Sequence, residues 1–298
     1  MPEKADFGIM QKNDTPKIDR GEKPGAIGPM GKKERNFMRM RKKEWARPEL
    51  AACPYYTANP EKWRGQWDTF FEKKQPIFLD LGCGKCEFLR QVAVRHPEIN
   101  FIGIDQSDDV LGVGRRLIED TYKEAGRDHV HNIALFAGDI EKLSLFLNPE
   151  QDKIAQIYIN FCNPWPKARH HKRRLTYTKQ LFMYRQFLNE NGEIWFKTDN
   201  DDLFLSSQRY FREAGFTIYA LTYDLHKEND PENAQSEHER MFTKQGIPTK
   251  ALKARIDPSF VWPKTEEPDE ADTAEEEPTA EEAVPAEKAG KETAEGEN

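Results

Sequence analysis

The stretch Ile77-Phe78-Leu79-Asp80-Leu81-Gly82-Cys83-Gly84-Lys85 sets the fold class. Four apolar residues and one acid suit a buried strand, and Gly82 and Gly84 let the backbone turn tightly after it. The amphipathic stretch Phe88 to Val94 then reads as a helix, and Phe101-Ile102-Gly103-Ile104-Asp105 as a second strand. Strand, glycine turn, helix and strand make one βαβ unit of a parallel sheet.

The alternation continues in both length and period. A helix is expected around Val110 to Ala125, a strand at Ile133 to Phe136, and a mostly apolar strand at Ile154 to Phe161. A helix over Thr178 to Leu188, stopped by Asn191-Gly192, leads to a fifth strand at Glu193 to Lys197. Gly215-Phe216 to Leu221 and Glu239 to Thr243 are expected as closing strands. The fold class is therefore α/β, a doubly wound, mostly parallel sheet covered by helices on both faces.

Charge divides the chain into three parts. Of 298 residues, 45 are Lys or Arg and 52 Asp or Glu, a net of −7. The segment Thr265 to Asn298 alone holds 14 acids against Lys288 and Lys291, so the rest of the chain is basic by 5. Residues 1–35 mix Gly, Pro, Lys and Asp without apolar periodicity and are expected to form a flexible basic arm. Residues 265–298, rich in Glu, Ala, Thr and Pro, are expected to be a disordered acidic tail. One domain, 36–264, remains to build a core. No apolar run approaches the roughly 20 residues that span a bilayer, so a cytoplasmic protein with no membrane partner is expected. Cys53, Cys83, Cys86 and Cys162 are too few and too scattered for a disulfide framework, and no ligand set for a metal recurs at suitable spacing.

Three acids stand at successive strand ends. Asp80 precedes the glycine turn, Asp105 ends the second strand, and Asp139 follows Gly138 after the third. Asp105 is placed to accept both hydroxyls of a ribose. A dinucleotide site wants glycine at the third fingerprint position, where this chain has Glu87, and Asp80 would repel a pyrophosphate. A nicotinamide-dependent oxidoreductase is thereby disfavoured. The same Asp80 suits the cationic amino group of the methionine half of S-adenosylmethionine, with Asp139 near the adenine amino group.

After the fourth strand comes Asn160-Phe161-Cys162-Asn163-Pro164-Trp165-Pro166-Lys167-Ala168-Arg169-His170-His171-Lys172-Arg173-Arg174. From Asn163 to Arg185 there are seven Lys/Arg and no acid. Such density beside a cofactor cleft points to nucleic-acid phosphates, contacted by Arg169, Lys172, Arg173 and Arg174, with Trp165 as a stacking face.

This segment closely resembles the signature of the bacterial tRNA (guanine-N7-)-methyltransferases. The resemblance takes in Arg39-Met40-Arg41, the Asp80 to Lys85 turn, Phe196-Lys197-Thr198-Asp199-Asn200, Asp224-Leu225-His226 and Ser236-Glu237-His238-Glu239, in the family's order. It implies a class I, Rossmann-like fold and methyl transfer from S-adenosylmethionine to N7 of the guanosine at position 46 in the tRNA variable loop. By motif, Asp80, Gly82, Gly84, Asp105, Asp139 and Asn163 would meet the cofactor. Lys167, Asp199, Ser236, Glu237, His238 and Glu239 would meet the guanosine, and Asn163 takes the position proposed as catalytic. The chain departs from the family pattern at Asp80 and Asp105, where Glu is usual, at Cys86, where Gly is common and whose side chain would narrow the room beside the cofactor, and at Asn163, where Asp is usual. That last departure leaves a rival reading, a catalytically silent tRNA-binding protein on the same scaffold. On either reading the expected partner is tRNA and the chain is a monomer or homodimer.

Overall fold

A computed structural model of the chain describes residues 42–261 except Asn229 and Glu232. The arm at 1–35, Arg39-Met40-Arg41 and the tail at 265–298 lie outside the described residues. Five strands run parallel: β1 (Ile77–Leu81), β2 (Asn100–Asp105), β3 (Ile133–Ala137), β4 (Ile154–Asn160) and β5 (Leu188–Thr198). Strand β6 (Phe216–Thr222) runs in the same direction as these five, and β7 (Lys250–Ile256), antiparallel to both β5 and β6, lies between them to complete a sheet of order β3-β2-β1-β4-β5-β7-β6.

Successive strand residues feed opposite faces, as the period of two requires. Phe101, Leu135 and Tyr158 join a core with Phe88, Leu89 and Val92 of α2 (Glu87–Arg95) and with Leu111, Ile118 and Tyr122 of α3 (Asp108–Glu124). Ile102, Ile157 and Ile159 join the other core with Leu181 and Tyr184 of α4 (Thr178–Phe187) and with Leu203, Phe204 and Phe211 of α5 (Asp201–Glu213). Most of these side chains are wholly buried, each contributing about 1.5 to 3 kcal/mol of transfer free energy. The short α1 (Ala46–Ala51) leads into Tyr55 to Thr57, which bonds to both backbone groups of Leu135 and so covers part of the β3 edge.

Two expected elements differ. Glu239 to Thr243 is not a strand but part of α6 (Glu237–Lys244), because Ser236 caps the helix by accepting the Glu239 N–H at 3.1 Å, and Phe242 is buried on its inner face. The closing strand is β7, which pairs with both β5 and β6. Helix α4 runs to Phe187, one residue short of the expected Leu188, and β5 begins at Leu188 rather than at the expected Glu193. Leu188 already pairs with Ile154, and the chain bulges until Glu193 meets Gln156.

Candidate functional site

The carboxyl ends of β3, β2, β1 and β4 are neighbours in the sheet, and the loops leaving them converge on one edge. After β1, the Gly82 and Cys83 N–H groups both donate to the Ile104 carbonyl, at 2.9 and 3.0 Å, which locks the turn against β2. Gly82 and Gly84 have φ of +80° and +54°, the left-handed region that a side chain strains. Cys86 shares this conformation, with φ of +57°, at the start of α2. Its thiol is wholly buried against α3, where a Cβ added at Gly114 would lie 2.7 Å from Sγ. The atoms that replace glycine's hydrogen at this position therefore go into the core.

Asp80 is 2 % exposed, and its Oδ2 has no hydrogen-bond partner. Burial, with the nearby Asp105 charge adding to it, pushes its carboxyl up to about 7, against opposing pulls from the Asn160 amide and the Lys197 ammonium. Asn160 Nδ2 is likewise buried without a partner. Asp105 is better satisfied: Oδ2 accepts the Gly84 N–H and Oδ1 the Ser107 N–H, both at 3.0 Å. Burial raises its carboxyl while these backbone bonds lower it. A carboxylate has about four acceptor positions, so two remain for a ligand. Asp139, half-buried, starts a 3₁₀ turn by accepting the Glu141 N–H at 3.1 Å and also keeps acceptor capacity.

The loop after β4 is held by side chains that the sequence presents as part of a charge run. Phe161 and Trp165 have positive φ, +52° and +42°. Asn163 Oδ1 accepts the Trp165 N–H at 3.1 Å, an Asx turn that stabilises the second of these. Arg174 is wholly buried. It donates to the Pro164 carbonyl at 2.8 Å and pairs with Asp202 in the first turn of α5. This corrects the expectation that Arg174 meets phosphates, because a 3₁₀ helix over Ala168–Arg173 turns its guanidinium inward to hold Pro164 and Trp165. Lys167, Arg169, Lys172 and Arg173 stay exposed, and the Arg173 guanidinium sits 5.2 Å from the Trp165 ring centre.

The fourth group of residues is brought in by α6. Glu239, expected beside the guanosine, is wholly buried, with its carboxylate on Lys197 at 3.3 Å and on the Asn233 amide at 2.8 Å, so it shapes the segment from within. The Ser236 hydroxyl is engaged as the helix cap, and Glu237 pairs with Lys85 of the glycine turn at 2.9 Å. His238 is exposed and stacks on Phe161, centroids 6.3 Å apart. Asp199 follows β5 directly, half-buried, and the cap of α5 is its neighbour Asn200, which accepts the Leu203 N–H at 2.8 Å. Sequence reasoning missed Asn160 and Lys197. Both sit inside quoted motifs, but only the register that pairs them across β4 and β5 brings them to this edge. His226 donates to or accepts from Thr243 at 2.8 Å, and no group of three His, Cys, Asp or Glu suited to a metal occurs among the described residues.

Residues 74–252 match a family model described as "Putative methyltransferase". The chain is 54 % identical over 215 residues to a tRNA (guanine-N(7)-)-methyltransferase of Clostridium botulinum strain Alaska E43, covering 72 % of this chain and 97 % of that protein. It is 51 % identical to the protein of the same name from Clostridium beijerinckii, over 74 % of this chain and all of that one.

Proposed function

Because the chain belongs to the tRNA (guanine-N7-)-methyltransferase family, we propose that it methylates N7 of the guanosine at position 46 in the variable loop of tRNA, using S-adenosylmethionine. The observation that carries this reading is the buried, unpartnered Asp80 Oδ2 beside the glycine turn. A buried carboxylate without a donor costs about 1 to 3 kcal/mol or more, and a cationic amino group would remove that cost. When bound, the sulfonium cofactor supplies an electrophilic methyl group. Asp80 would hold its amino group, Asp105 the ribose hydroxyls and Asp139 the adenine edge. A silent RNA binder would gain stability by replacing this buried, unpartnered acid with a neutral side chain. We place the catalytic domain at 36–264. The reading is tested by incubating the full chain with labelled S-adenosylmethionine and unmodified tRNA. Label in 7-methylguanosine at position 46 is expected, and label in another nucleoside, or none, sinks it.

Cofactor affinity should depend on pH through Asp80. In the free protein this group holds its proton up to about pH 7, and a cationic ligand favours its ionised form. Binding should therefore release a proton near pH 7 and weaken as pH falls from 8 to 6, whereas Asp80→Asn should bind weakly at every pH. The same shift acts oppositely on folding. The folded state keeps a proton that the unfolded chain has lost, so the unliganded protein loses stability as pH rises from the ordinary carboxylate range to about 7, and Asp80→Asn should raise its Tm. Calorimetry in two buffers of different ionisation enthalpy reads the proton release, and a pH-independent Kd with no proton exchange would refute the assignment.

Arg169, Lys172 and Arg173 are assigned to tRNA phosphates. Replacing the three with Gln should flatten the dependence of log Kd on log salt by nearly one unit per contact, about 2 to 3 in all. Arg174→Gln, which acts on the loop, should leave that slope unchanged. A salt titration of the triple variant that parallels the parent would move the RNA path elsewhere.

A further inference from the structure

We infer that Lys197 is a positioning residue for methyl transfer, fixing the Ser236–Glu239 segment against the carboxyl end of β5. The inference rests on the reading that this segment meets the substrate guanosine. Lys197 pairs with Asn160 in the β4–β5 register, and its carbonyl accepts the Phe161 N–H at 2.9 Å. Its backbone thus belongs to the corner from which the Asn163 loop departs. Its side chain reaches the approach to α6, where the ammonium donates to Asn233 Oδ1, to the Ala234 carbonyl at 3.1 Å and to Glu239 Oε2 at 3.3 Å. An ammonium has three donors, and all three are used.

Burial separates this tie from the others that hold α6. Lys85 pairs with Glu237 at 2.9 Å and Arg240 with Glu87 at 2.7 Å, but Lys85, Glu237 and Arg240 are each at least a third exposed, and ion pairs so wetted fix little. The Lys197 side chain is 11 % exposed and that of Glu239 1 %. Removing the ammonium leaves the buried Glu239 carboxylate with only the Asn233 amide at 2.8 Å and His226 Nε2 at 3.6 Å, and frees two further acceptors, so the segment loses its inner post. One loop residue, Phe161, then links both sides: its N–H is bonded to Lys197 and its ring stacks on His238. A shift of α6 would carry to the β4 loop across a single residue.

The test compares the parent, Lys197→Met, Glu239→Gln and the double variant Lys197→Met/Glu239→Gln, which restores charge balance should the first fail to fold. In Lys197→Met, amide exchange over residues 233–242 should quicken at least about tenfold without any tRNA present. Its kcat should fall about 100-fold, the scale of a 1 Å misplacement. Its tRNA Kd should stay within about threefold, since phosphates carry most RNA affinity, and kcat is read at saturating cofactor because the Lys197 ammonium also acts on Asp80. If Lys197→Met does not fold, the double variant should show a kcat well below that of Glu239→Gln. A folded variant with parental kcat at saturating cofactor, or one whose loss lies equally in tRNA Kd, overturns the inference. Should the parent itself form no 7-methylguanosine, the functional reading fails separately, and the exchange rates still judge the tie.

Discussion

Asp105→Ala should weaken S-adenosylmethionine binding by about 10²- to 10⁴-fold. Two ribose hydroxyls would lose a charged acceptor, each bond being worth about 1.5 to 3 kcal/mol, and every 1.4 kcal/mol is tenfold in Kd. The geometry adds a second cause in the same direction. Asp105 also accepts the Gly84 and Ser107 N–H groups, so its removal loosens the glycine turn that receives the cofactor. Stability of the unliganded protein should change much less, because losing two backbone bonds is offset by relieving a buried carboxyl that burial already disfavours as an ion. Titration calorimetry with S-adenosylmethionine and its demethylated product separates these effects. A Kd within threefold of the parent for both ligands would remove Asp105 from the ribose.

What was legible in the sequence was whatever depends on local pattern. Ile77 to Leu81, with glycines just beyond, can be little other than a buried strand and a turn, and β1, the start of α2 and the acid at the end of β2 lie where the pattern places them. Among the described residues, Lys85 of the glycine-turn motif pairs with Glu237 of the Ser236 motif, and Asn160 lies opposite Lys197 across β4 and β5. What failed was pairing and direction. Glu239 to Thr243 reads as a strand when its apolar residues are counted, yet Ser236 and Glu239 form a helix-start signature that was available and outweighs it. Strand β7 hides behind Lys250, Lys253 and Arg255. Lys250 is buried with its ammonium on Asp201, and Lys253 lies 3.8 Å from the Trp195 ring centre, so charges that suggest solvent are partnered on the sheet. Lys172-Arg173-Arg174 looks like one basic run, and no periodicity separates the third member. Only the 3₁₀ turn and the Asp202 partner, 28 residues away, put Arg174 inside.

Asn163 bears on the same distinction between chemistry and support, and the enzyme is expected to be active with it. Guanine N7 carries an in-plane lone pair and no proton, so methylation there produces a cationic base without deprotonating the attacked atom. No general base is needed at that step. What the step needs is alignment of N7, methyl carbon and sulfur, and near-attack placement can supply about 7 to 11 kcal/mol of a barrier. Asn163 contributes to placement through the loop. Its Oδ1 holds the Trp165 N–H, and Trp165 sits at a positive φ beside the Arg173 guanidinium, while Arg174 clamps the two carbonyls that follow Asn163. An Asp in this position keeps the same acceptor and adds a charge that favours the developing cation, so Asn163→Asp should retain or raise kcat. Asn163→Ala removes the acceptor, frees Trp165 from its strained turn, and should lower kcat about 10- to 100-fold while tRNA Kd stays within about threefold. Single-turnover rates with saturating cofactor, set beside tRNA affinities for the three proteins, read this split directly. A parent that binds both ligands without transferring methyl, while Asn163→Asp transfers it, would instead mean that the loop in this chain has kept its shape and lost its chemistry.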